Sequence, residues 1–108
     1  MKKKIYISGK IKGNKQWVEQ FNDAEFRLKN EWIVFNPVTI IKKFKLPYPN
    51  PYDEKNYKYI LANDLMILCE CDAIYMLKNW LSSTGANIEY QFAKAIGLEI
   101  IFEGCNND

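Results

Sequence analysis

Lys4-Ile5-Tyr6-Ile7-Ser8 and, one helical stretch later, Trp32-Ile33-Val34-Phe35 are the two runs on which the fold turns. The first is a short β-rich segment stopped by Gly9 and Gly13; the second is a continuous apolar run closed by Asn36-Pro37. Between them, from Asn14, the period changes. Trp17, Phe21, Ala24 and Leu28 fall on one stripe of a helix, with Glu19, Asp23 and Lys29 outside it. A strand, a helix and a strand joined this way call for a right-handed crossover and parallel pairing.

The alternation continues outward. A second helix is predicted from about Asp53, with Tyr57, Leu61, Leu65 and Leu68 on one face. Asp72 introduces a third strand, Ala73-Ile74-Tyr75-Met76. Ser82-Ser83-Thr84-Gly85 then offers N-cap candidates for a third helix, whose apolar face carries Ile88, Phe92 and Ile96. Gly97 ends that helix, and Leu98-Glu99-Ile100-Ile101-Phe102 is a final strand. The strands are apolar on both faces, as a sheet covered by helices on both sides requires. The expectation is one small doubly wound α/β domain over residues 1–108, Rossmann- or flavodoxin-like and three-layered. Its four-stranded parallel sheet takes the order 2-1-3-4, with the first strand central.

Residues 36–52 differ in character. All four prolines sit there, with Lys42, Lys43, Lys45, Phe44, Tyr48 and Tyr52. The prolines argue against regular helix, and a structureless connection of this length reads as a lid over a ligand, or as a segment packed at a subunit interface.

Composition narrows the chemistry. The chain of 108 residues is 48% hydrophobic, a globular proportion, and short enough that self-association would help bury its surface. It has no histidine, which removes Ser-His-Asp and Cys-His nucleophile systems and histidine-containing zinc sites. Fifteen basic against thirteen acidic residues, with Arg27 the one arginine, argues against a nucleic-acid partner. The apolar run behind Met1-Lys2-Lys3-Lys4 is too short for a signal peptide and no stretch approaches a membrane span, so a cytoplasmic location is expected. Cys69-x-Cys71 with a distant Cys105 lacks the fourth ligand of a structural zinc site, so neither metal nor cofactor is expected.

Such sheets bind ligands beyond the carboxyl ends of their strands. Three segments lie at that edge: Ser8 to Gly13, Asn36 to Tyr52, and Met76 to Gly85. The first, with Lys10 and Lys12 between Gly9 and Gly13, and the third, with Ser83, each open a helix. Free N–H donors and a dipole end there suit an anion, although a plain turn and plain capping explain the same residues. Glu89 stands too far beyond Ser83 and Thr84 to be a capping-box glutamate, and it has small neighbours in Gly85 and Ala93. It reads either as a solvated surface residue or as a nucleophilic carboxylate kept ionised by the helix dipole. Asp64 borders the apolar stripe of its helix, where aspartate is a poor resident. Tyr6, mid-strand in a covered sheet, needs a partner for its hydroxyl, and a carboxylate at the crevice would serve.

At these residues the chain resembles the nucleoside 2-deoxyribosyltransferase superfamily. The resemblance is carried by Ile5-Tyr6-Ile7-Ser8-Gly9, Asn63-Asp64-Leu65, Cys71-Asp72-Ala73-Ile74, Ser83-x-Gly85-x-x-x-Glu89 and Ala93-x-x-x-Gly97, in that order. It implies that Glu89 attacks C1′ of deoxyribose and displaces the base. It also implies that Tyr6 orients that glutamate and that Asp64 contacts and protonates the leaving base. Nucleoside-specific members carry an aspartate where this chain has Ser83. The related deoxynucleoside 5′-monophosphate N-glycosidases carry a serine there and a first loop similar to Gly9-Lys10-Ile11-Lys12-Gly13. The resemblance thus points to a small-molecule nucleotide bound by Ser8, Gly9, Lys10, Lys12, Gly13, Asn36, Ser83 and Gly85. Two other readings stay open, a non-catalytic protein that binds a nucleotide or nucleotide-derived signal in the same crevice and an enzyme on another N-ribosyl ligand; a homo-oligomer is expected under each.

Overall fold

A computed structural model describes residues 1–104. Four strands form one all-parallel sheet in the order β2-β1-β3-β4: β1 (Lys3–Ser8), β2 (Trp32–Phe35), β3 (Ala73–Met76) and β4 (Glu99–Phe102). Four helices connect them: α1 (Trp17–Leu28), α2 (Pro37–Lys43), α3 (Tyr57–Cys69) and α4 (Thr84–Ala95). The fold class and strand order are those the sequence predicts. Ile5 pairs with Val34 on one side and with Ala73 on the other, so β1 lies inside the sheet and is buried on both faces.

The pleat sends alternate residues to opposite layers. Ile5, Ile7, Ala73 and Tyr75 face one way and pack with Phe21 and Ala24 of α1 and Val38 of α2. Tyr6, Ile74 and Met76 face the other way and pack with Leu68 of α3 and with Ala86 and Ala93 of α4. Each layer is a core in its own right, and a fully buried side chain such as Phe21 contributes about 1.5–3 kcal/mol by leaving water.

Two expectations need correction. Residues 36–52 are not structureless, because α2 starts at Pro37. Proline at the first helical position loses no bond, and the Asn36 side chain caps the helix by accepting from the Val38 N–H at 3.0 Å. The other three prolines lie beyond the helix, in a loop pinned by the fully buried Asn56, whose amide donates to the Tyr48 and Asn50 carbonyls. The second correction concerns α4. Ile88 and Ile96 are exposed, and the sheet side of the helix is Ala86, Glu89 and Ala93. Two alanines a double turn apart let the helix lie close on the sheet, and that rotation carries Glu89 inward while Ile88 turns out.

Candidate active site

The site begins with the pleat of β1. Tyr6 and Ser8 are two residues apart, so both side chains reach the α3/α4 layer. Glu89 comes to meet them from the second turn of α4. The Tyr6 hydroxyl donates to Glu89 Oε2 at 2.9 Å and the Ser8 hydroxyl donates to Oε1 at 2.6 Å. Both oxygens of one carboxylate are thereby held by hydroxyls 83 and 81 residues away in the chain. Asp64 enters from the middle of α3 and lies close enough to Glu89 and Tyr6 to interact with both, while the well-formed hydrogen bonds to Glu89 come from the hydroxyls.

Glu89 is 6% exposed and Asp64 7%, which makes them the buried carboxylates of the described residues. Removal from water pushes both carboxyls above the usual carboxylate range. For Glu89 the neighbouring charge of Asp64 adds to the rise, and the hydroxyls of Ser8 and Tyr6 work against it. The expectation that the helix dipole holds Glu89 ionised is therefore overturned, because burial and a like charge outweigh a dipole effect of about 0.3–1 kcal/mol. Burial likewise raises the Tyr6 phenol, with the Glu89 charge adding to it, so Tyr6 stays a donor. The charge of Asp64 opposes ionisation of Glu89, while the interaction with Glu89 favours ionisation of Asp64, so Glu89 is the member of the pair that holds a proton more tightly.

The remaining site residues divide by what they already do. Ser8 is buried and its hydroxyl is engaged by Glu89, so it positions the carboxylate. Gly9 has no space for a side chain, because a Cβ there would stand 2.7 Å from Leu77 Cδ1. The Lys10 N–H is occupied by Asn79 Oδ1 at 3.2 Å, and Asn14 bonds the Lys10 carbonyl and Gln20. Gly13 takes φ +75, a turn conformation open to glycine. Lys12 is exposed and faces Glu54 at 3.9 Å. Asn36 sits on the α1 side, donating to the Phe21 carbonyl, Asn22 and Glu25. Ser83 caps α4 by accepting from the Ala86 N–H at 3.1 Å, which leaves its hydroxyl proton free to donate outward. At Gly85, a Cβ would stand 3.1 Å from the Tyr57 hydroxyl, so the space beside Glu89 is taken by a phenol.

Tyr57 and Asn79 are site residues that lie outside the sequence motifs. Asn79 carries no sequence signal. Tyr57 does: it precedes Asp64 by seven residues, two helical turns, and so shares its face of α3. Tyr57 also lines a groove of about 330 Å³ with Tyr48, Glu54, Lys55 and Lys58. A larger groove of about 510 Å³ lies on the outer side of α4, between Leu81, Ile88 and Gln91, and does not include Glu89. Among the described residues no cluster of histidine, cysteine, aspartate or glutamate is placed to hold a metal ion, and no helix is long and apolar enough to cross a membrane. Cys69 and Cys71 are free thiols; Cys105 lies outside the described residues.

A parallel α/β sheet with a buried carboxyl pair beside its inner strand β1, one member held by two hydroxyls, defines the class. Residues 3–102 match the model of a domain of unknown function, DUF4406, and the chain belongs to that family. No curated protein matches it.

Proposed function

We propose that this protein cleaves or exchanges the N-glycosidic bond of a deoxynucleoside 5′-monophosphate, with Glu89 as nucleophile. The observation that carries the reading is the grip of Tyr6 and Ser8 on both oxygens of the buried Glu89, with Asp64 alongside. That grip fixes the carboxylate's direction of attack, the usual requirement for a glycosyl-enzyme intermediate. Glu89 first passes its proton to Asp64, then attacks C1′ as the C1′–N bond breaks. The bond's electron pair leaves with the base, which takes a proton from Asp64. Water or a second base then displaces the glutamyl ester, as in a retaining glycosidase. Ser83 at the start of α4, with the cation of Lys12 on the first loop, suits a 5′-phosphate better than a bare hydroxyl. The ordered resemblance to the nucleoside 2-deoxyribosyltransferase superfamily supports the same assignment.

One observation favours a second reading, that of a nucleotide-binding protein without turnover. Glu89 is almost wholly enclosed, and neither groove opens onto it. Incubation with each deoxynucleoside and each deoxynucleoside 5′-monophosphate, followed by chromatography for free base, separates the two. Base release from a monophosphate that disappears in Glu89→Gln is the expected result. Binding of a nucleotide with no release from any of them would replace the enzymatic reading with the second.

A further inference from the structure

Two pairs of residues build the seam between α3 and α4. Tyr57 and Asp64 lie two turns apart on α3; Gly85 and Glu89 lie one turn apart on α4. The inner ends of these pairs, Asp64 and Glu89, are the buried carboxyls. The outer ends meet as well, with the Tyr57 hydroxyl 3.1 Å from where a Cβ on Gly85 would stand. We propose that Tyr57 is a positioning residue of this site: its ring closes the outer end of the seam over Glu89 and Asp64 and keeps the pair out of water, and Gly85 leaves the space for it.

Three features converge on this role. The Tyr57 side chain is exposed on its outer side, where it borders the groove with Tyr48, Lys55 and Lys58, and lies within reach of the Glu89 and Asp64 charges on the other, so it stands between that groove and the carboxyls. Nothing holds it by a regular hydrogen bond among those of the described residues, in contrast to Tyr6, whose hydroxyl is fixed on Glu89. A ring that covers without being tethered can swing aside to admit a ligand and return behind it. The carboxylates also act on Tyr57: burial and the charges of Glu89 and Asp64 push its ionisation up, so it faces them as a neutral group. The titratable groups facing Glu89 are Tyr6 from β1 and Asp64 and Tyr57 from α3; β3 contributes the apolar Ile74 and Met76 to the same layer.

The inference rests on the preceding reading only in taking the carboxyl pair as the reacting centre, and its test requires no turnover. Protein labelled with ¹³C at glutamate and aspartate carboxyls is titrated in the parent, Tyr57→Ala and Tyr57→Phe, with amide spectra to verify the fold. In the parent both midpoints lie above the ordinary range. Tyr57→Ala admits water and raises the Glu89 ionisation constant about tenfold, read as a lower titration midpoint. Tyr57→Phe keeps the ring and stays within about threefold of the parent. An unchanged Glu89 midpoint in Tyr57→Ala would overturn the proposal, as would equal drops in both variants, which would make the hydroxyl the agent. Should the alanine variant lose its fold, carbodiimide labelling of Glu89 in Gly85→Ala gives the second measurement. An added methyl displaces the phenol and must raise labelling above the parent; no increase counts against the cover. A failed base-release assay leaves these results standing, and an unchanged titration leaves base release standing.

Discussion

The two faces of this sheet share a backbone and differ in what they bury. Toward α1 and α2, the core of Ile5, Ile7, Phe21, Val38 and Tyr75 is joined by the buried but neutral Asn36. Toward α3 and α4, the same strands contribute Tyr6 and Ser8, and the helices add Asp64 and Glu89. Burying two carboxyls opposes folding unless they are paired or protonated, so the second face carries a cost that the first does not. Both sides of β1 carry an apolar core, and the buried carboxyls lie on the α3/α4 side. Substitutions on the two faces should therefore fail in different ways.

Glu89→Gln tests that separation most severely. It keeps the size of the side chain and removes the nucleophile, and base release should fall on the order of 10⁴-fold or more. Ligand binding and the melting transition should stay near the parent, because a neutral amide escapes the desolvation that burdens the carboxylate. A melting temperature that collapsed with activity would show the face to be structural. Phe21→Ala is the converse. It should cost about 3–5 kcal/mol in urea unfolding through the cavity it leaves beneath β1, while the folded fraction retains its turnover per molecule.

Asp64→Asn should slow departure of the base by roughly 10²–10⁴-fold, the usual span for a lost general acid. The loss should be least for the base with the best leaving group, measured by comparing deoxynucleotides. A uniform loss across bases would remove Asp64 from that role.

The pH dependence of stability follows from the same face. Asp64 and Glu89 are raised in the folded state, so the native protein binds more protons than the unfolded chain above the ordinary carboxylate range. Their contribution is fully present at low pH and is lost as pH rises from about 4 through the raised values. Each tenfold gain in proton affinity on folding corresponds to about 1.4 kcal/mol of that loss. Denaturant titrations across that window should show stability falling with pH in the parent and a shallower slope in Glu89→Gln. An identical slope would place the proton uptake elsewhere. Ser83→Ala, at the rim of this face, should produce the smallest change. Loss of the cap costs about 0.5–2 kcal/mol, and calorimetry should show phosphate-bearing ligands weakened while nucleosides are unaffected.

The sequence by itself determined the alternation of strands and helices, the parallel order with β1 inside, and the identity of Tyr6, Asp64 and Glu89 as the residues to watch. Those features are local or follow from connection rules: apolar runs, a stripe at helical spacing and crossovers of fixed hand. Tertiary structure alone decided the rest. The rotation of α4 depends on how closely Ala86 and Ala93 approach the sheet, which the pattern of Ile88, Phe92 and Ile96 cannot report. The helix at Pro37 depends on Asn36, whose amide is anchored on α1. The occupation of Gly85's space by Tyr57, and the raising of both carboxyls rather than their ionisation, arise where α3 meets α4. Desolvation and close approach are properties of the assembled seam. No residue of it carries them alone.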